Sequence, residues 1–334
     1  MMKRTIALLV GILAFAAGAA SAQTTIKFST ALPRFGPAGD DGLVPWMRAI
    51  EQESGGTVKF REFWGGQLVP NPVKEYDALV NGICDMTVIT TSFVGQQFPD
   101  MHLFEIPNVV RNASEAATGG WKMHEAGLLR GMDKIYTAAI FANDPGGVHL
   151  AKPITSLDQL KGLKVRVSGP AEADIVQALG AAPVGMNITD AAESLSRGVY
   201  DGTFNGWAAD RSFRMTPLIK ANIDLPLGVR IFVLAINKEV YGKLPPPAQQ
   251  AIERHSGLDF SLHMSLAFEA DGIAERVDAK KRGIIVPIDD QTRQRLDAAF
   301  AAMREKWIAA TPDGAKKYAF LQSVLADYKS GIQR

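Results

Sequence analysis

Cysteine is almost absent from this 334-residue chain: Cys84 is the single one, which excludes a disulfide within it. In Gly82-Ile83-Cys84-Asp85-Met86 it reads as a small buried residue, since a reactive thiol needs an exposed, electropositive setting. An excess of one charge is also absent. The 36 Lys and Arg against 35 Asp and Glu leave a formal balance of +1, which excludes the basic surface that nucleic acid requires. Long apolar runs are missing beyond the N-terminus. There, Lys3 and Arg4 precede an apolar stretch from Thr5 to Ala19, and Ala20-Ser21-Ala22 forms a small-x-small site before Gln23. The stretch is shorter than the ~20 residues of a membrane span. Residues 1–22 are therefore read as a cleaved secretory signal peptide, and the mature chain as an exported, soluble protein.

Catalytic signatures are missing as well. No nucleophile elbow, phosphate-cradling glycine loop or metallopeptidase motif occurs, and the glycine-rich segment Asp144-Pro145-Gly146-Gly147 has neither of the phosphate-loop forms. His255, Asp259 and His263 recur at i, i+4 and i+8 on one helix face, too spread along the axis for all three to hold one ion. Asp40-Asp41 and Asp289-Asp290 stand at helix starts, where the helix dipole favours carboxylates. The sequence thus predicts no enzyme, no metal and no cofactor.

What is present is an alternation of β-type and helical segments. Strands are predicted at 26–30, 58–63 and 86–90 and helices at 41–53 and 72–80, the rhythm of a parallel sheet covered by helices. A second series places strands at 135–141, 163–167 and 202–204 and helices at 171–179 and 189–196. The turn-rich Asn143 to Gly147 marks the crossover between two lobes, and the β-type run 230–236 returns the chain to the first. Pro245-Pro246-Pro247 opens a helical pattern reaching about Lys281, over 50 Å long at ~1.5 Å per residue if unbroken, long enough to join two lobes. Gly257 and Gly272 are its candidate bends. The predicted architecture is an α/β two-domain clamshell with a long linking helix: residues 23–143 and about 231–270 in lobe I, 144–230 and about 271–334 in lobe II.

The most informative segment is Gly162-Leu163-Lys164-Val165-Arg166-Val167, followed by Tyr200-Asp201-Gly202-Thr203-Phe204-Asn205. A guanidinium on an apolar strand carries a desolvation cost unless an anion meets it, so Arg166 points to a carboxylate partner.

With these residues placed, the mature chain resembles the solute-binding proteins of tripartite ATP-independent periplasmic (TRAP) transporters, the DctP-like family. The resemblance rests on Ile26-Lys27-Phe28, Gly65-Gly66-Gln67-Leu68, the run Leu79 to Met86, Leu157 to Arg166, Gly180-Ala181-Ala182-Pro183-Val184 and Tyr200 to Asn205, in that order and spacing. It implies a periplasmic clamshell that closes on an organic acid and delivers it to the membrane permease subunits of a TRAP transporter. It also implies that Arg166 pairs with the ligand carboxylate and that Asn205 hydrogen-bonds beside it. The chain is expected to act as a monomer.

Departures from the family pattern narrow the ligand. Gly146 stands where sialic-acid-binding members carry a second arginine, which weakens that reading. The common Gln-Glu-Asn-Pro continuation becomes Thr203-Phe204-Asn205-Gly206-Trp207, and strand alternation predicts Trp207 on the same side as Asn205. Phe204 and Trp207 are the expected apolar wall beside the carboxylate clamp, favouring an aromatic or hydrophobic monocarboxylate over a C4-dicarboxylate or keto acid. A ligand-sensing module for a signalling partner is the alternative from another class. Thr90, Thr91, Ser92, His149 and Arg34 with Phe35 complete the candidate contacts, with a structural histidine the alternative reading of His149 and a solvated loop charge that of Arg34.

Overall fold

The computed structural model describes residues 23–332, so the expected signal peptide lies outside the described residues. In chain order the strands are β1 (Thr24–Ser29), β2 (Val58–Phe63), β3 (Met86–Thr90), β4 (Ile135–Ala142), β5 (Gly146–Leu150), β6 (Lys164–Val167), β7 (Ala182–Gly185), β8 (Gly202–Gly206), β9 (Ala221–Ile223) and β10 (Ile231–Asn237). They form two five-stranded sheets, ordered β2-β1-β3-β10-β4 and β7-β6-β8-β5-β9.

Both sheets are mixed, where the sequence rhythm predicts parallel pairing. β1 runs parallel to β2 and β3, but β10 is antiparallel to β3 and β4. β6 runs parallel to β7 and β8, but β5 is antiparallel to β8 and β9. The reversed strands β5 and β10 are those entered directly from the other sheet. A parallel strand needs a crossover element before it, and neither has one. Burial of β3 and β4 on both faces explains why their residues show no alternation.

The first sheet is packed on both sides. Phe28, Val88, Phe141 and Leu234 face one core and Ile89, Ile140 and Val233 the other. The second sheet has an apolar core on one face, around Val148, Val165, Val167, Phe204 and Ile223.

The predicted long helix is two helices, Pro246–His255 and Leu258–Lys281. Gly257 breaks it with φ +93, a conformation that costs glycine little, and donates its N–H to the Ala138 carbonyl. The second helix runs on through Gly272 and spans both sheets. Its Ser261 and Ser265 hydroxyls accept from the N–H groups of Ile140 and Ala142, satisfying the outer edge of β4. Further along, Asp271 pairs with Arg211 and Arg276 with Asp224, both partners lying beside the second sheet.

The C-terminal helices divide between the lobes. Leu296 and Phe300 of Asp290–Ala310 enter the core of the second sheet, but Leu321 and Leu325 of Gly314–Ile332 enter a core of the first. The sequence reading grouped all of 271–334 with lobe II. A buried ion pair explains the return: Lys317 reaches Asp100 at 2.7 Å, and Arg130 shares that carboxylate.

Candidate functional site

The face of the second sheet opposite its apolar core is polar. Register pairs Arg166 of β6 with Thr203 of β8, Thr203 with His149 of β5, and His149 with Asn222 of β9. In-register neighbours share a face, so four buried polar residues form a row across four strands. Asn205, two residues beyond Thr203, lies on the same face.

The other members of this row hold one another, although the buried Asn222 amide nitrogen has no hydrogen-bond partner. The Thr203 hydroxyl donates to the Asn205 side-chain oxygen at 2.7 Å, and the Asn205 amide donates to Asp210 at 3.0 Å. His149 Nδ1 faces Asp210 at 3.0 Å and the Asn222 oxygen at 2.7 Å, while Nε2 faces the Asn205 carbonyl at 3.1 Å. Both ring nitrogens meet acceptors, which only the doubly protonated ring satisfies. Burial opposes that charge, but Asp210, Asn222 and the Asn205 carbonyl together outweigh it and lift the imidazole to about 9.

Arg166 is fully buried, its Nε donates to the Met186 carbonyl at 2.9 Å, and Nη1 and Nη2 have no hydrogen-bond partner. Burial lowers its pKa to about 10; Glu172 opposes the shift, and Arg230 reinforces it as a second nearby cation. Arg230 donates to Glu172 and, at 3.0 Å, to the Ser168 hydroxyl, while its buried Nε has no partner. Two guanidiniums therefore converge just past the end of β6 with donor groups to spare. Glu105 is close by, accepting from Ser92 at 2.7 Å, and burial raises its pKa.

Beside Arg230, a narrow cavity of about 40 Å³ opens between the sheets, walled by Phe35, Phe93, Phe213, Phe232 and Phe268 with Thr90 and Asn143 as polar points. Ile188, two residues past the carbonyl that anchors Arg166, lines it too. Its walls come from both lobes, Phe93 and Phe232 from the first and Ile188 and Phe213 from the second. A larger cavity, about 510 Å³, lies against Ala302, Met303 and Trp307; neither buried arginine lines it.

The predicted site residues fare unequally. Arg166 and Asn205 share one face, and Thr90 lines the cavity. Thr91 and Ser92 do not, because their hydroxyls are committed to the Ile231 carbonyl and to Glu105. Arg34 is half exposed and paired with Asp40, although its neighbour Phe35 lines the cavity. His149 supports Asn205 from below, with both nitrogens in use. Phe204 faces the opposite side of β8 from Asn205, in the apolar core. The alternation extended to Trp207 fails because β8 ends at Gly206 and Trp207 opens the helix Trp207–Ser212, its ring edge-on to His149 at 4.8 Å. Neither Phe204 nor Trp207 lines the phenylalanine-walled cavity, although Phe204 borders a smaller one beside Glu172 and Arg230.

Sequence reasoning named Phe35 but missed Arg230, Glu172 and the other four phenylalanines. Arg230 carried a signal, a cation heading the apolar run of β10, just as Arg166 stands in β6. Among the described residues no cluster of His, Cys, Asp or Glu could hold a metal ion. His255 and His263 are bound instead to Glu53 and to the Asp41 carbonyl. No helix among them is long and apolar enough to cross a membrane.

Residues 28–310 match the family model of bacterial extracellular solute-binding protein, family 7 (DctP). A solved TRAP solute-binding protein from Rhodoferax ferrireducens T118, in complex with copurified benzoate, is similar with a TM-score of 0.84 and 26% identity, covering 93% of this chain and 100% of that one. The C4-dicarboxylate-binding periplasmic protein DctP of Rhodobacter capsulatus is 27% identical over 251 residues, 72% of this chain and 73% of the relative. A solute-binding protein from Albidiferax ferrireducens is 26% identical over 204 residues, and the match spans only 59% of either chain.

Proposed function

We propose a function from one premise: the chain belongs to the DctP family, family 7 of the bacterial extracellular solute-binding proteins. It serves as the periplasmic receptor of a TRAP transporter, capturing an aromatic monocarboxylate between its lobes and presenting it to the membrane permease. The observation that carries this reading is the pairing of a fully buried arginine, whose two terminal nitrogens lack partners, with a nearby cavity walled by five phenylalanines. A guanidinium fork matches a carboxylate bidentately, and aromatic walls reward a flat apolar body.

The benzoate complex of the Rhodoferax ferrireducens protein supports the aromatic choice. The Rhodobacter capsulatus relative, named for C4-dicarboxylates, favours a second reading as a dicarboxylate receptor. That reading gains from Arg230 as a second cation but must place a short polar chain against phenylalanine. The receptor holds its ligand without chemistry, so no catalytic residue is assigned.

Calorimetry with benzoate, 3-hydroxybenzoate, mandelate and succinate tests the reading. Tight binding is expected for one or more of the aromatic acids and weak or no binding for succinate. Binding of succinate alone would replace the aromatic assignment with the dicarboxylate one.

A further inference from the structure

We propose that Glu172 sets the charge the site accepts, admitting a ligand with one carboxylate and excluding one with two. The proposal rests on the monocarboxylate reading above and names the residue that enforces it. Glu172 is buried on the first turn of the helix Pro170–Ala178, and both of its oxygens are engaged by donors. Oε1 accepts from Arg230, and Oε2 accepts from the Ser168 N–H at 2.6 Å.

Ser168 locates the cluster. It lies two residues beyond Arg166, its N–H holds Glu172 and its hydroxyl accepts from Arg230, so the two arginines and the glutamate surround one turn of chain. Glu172 and Arg230 both act electrostatically on Arg166. Two cations and one anion leave one uncompensated positive charge. A single ligand carboxylate cancels it. A second carboxylate would be a buried, unmatched negative charge, which is costly at any well-desolvated site. Glu105 has partners of its own, the Ser92 hydroxyl at 2.7 Å and the His102 ring at 3.7 Å.

Nitrobenzoates and benzenedicarboxylates separate charge from shape. A nitro group is planar like a carboxylate and lacks only its charge, so each nitrobenzoate isomer is paired with the dicarboxylate of the same substitution. By calorimetry on the full mature chain, the wild type is expected to prefer the nitro partner by at least about 100-fold. In Glu172→Gln that preference should shrink by at least about tenfold, and in Glu172→Asp, which retains the charge, it should persist. Melting temperatures of the ligand-free variants confirm folding, and a merely structural role for Glu172 would weaken both ligands without moving their ratio. A ratio unchanged in Glu172→Gln, with benzoate still bound, overturns the charge rule alone. So does a wild type that binds benzoate but no nitrobenzoate, because shape would then be the barrier. A wild type that binds no aromatic acid at all removes the underlying reading together with this one.

Discussion

Arg166 carries the anion proposal because its neighbours leave it no other use. Only its Nε is occupied, and the surrounding strand is apolar. Arg166→Ala is expected to weaken aromatic-acid binding by about 3 to 5 kcal/mol, the cost of stranding the ligand carboxylate in a buried site. Arg166→Lys should recover only part, since an ammonium lacks the planar fork. Calorimetry on both variants decides it, and wild-type affinity in Arg166→Ala would end the clamp assignment. This residue was legible in the sequence because a charge within an apolar strand violates the local pattern. Glu172 was not, since an acidic residue in a helix's first turn is what the helix dipole predicts anyway. Phe213 and Phe268, far apart in the chain, meet only through tertiary packing, which no periodicity reports.

At the scale of elements, the helix Leu258–Lys281 shows how close packing overrides propensity. A Cβ added at Gly272 would lie 2.4 Å from a carboxylate oxygen of Asp144. Asp144 cannot easily give way, because it accepts from the N–H groups of Trp207 and Ala208 and so fixes the start of their helix. Alanine in place of glycine favours an isolated helix by about 1 kcal/mol. Overpacking costs about 1 to 3 kcal/mol. Gly272→Ala is therefore expected to be destabilising on balance, read as a lower urea midpoint with an unchanged slope. A raised midpoint would mean that Asp144 moves freely. The strands β2 and β3 were legible to the residue because β-branched and aromatic runs are bounded by turn residues. β5, β7 and β9 were missed because three to five residues rich in glycine, alanine or proline carry no β signal of their own and are strands only by their partners.

For the whole molecule, several buried groups bind protons more tightly folded than unfolded, and their effects add. Burial raises Asp144 from an ordinary value of 3.8 to about 7 and Glu75 from 4.5 to about 7. His149 rises from 6.5 to about 9, because Asp210 together with Asn222 and the Asn205 carbonyl overcomes the burial penalty. Where the folded state holds more protons, stability falls as pH rises. The carboxyl contributions are complete below about pH 4 and are lost by about pH 7; that of His149 is complete below about 6.5 and is lost through about 9. Asp100 and Asp201 oppose this at the acid end. Arg130 and Lys317 hold the first below the usual carboxylate range and Lys152 the second, against burial in each case, so their contribution vanishes as pH falls below that range. The net expectation is a melting temperature highest in mildly acidic solution and declining steadily to pH 9, at up to about 1.4 kcal/mol per unit for each group titrating. His149→Gln separates the two arms. It keeps a polar amide of similar reach that donates through its NH2 group, loses the titration, and should flatten the decline between pH 6.5 and 9 while leaving that between 4 and 7 intact. Thermal unfolding across this range checks both arms, and a wild-type melting temperature that is level or rising above pH 6.5 would show that His149 is neutral beneath Asn205.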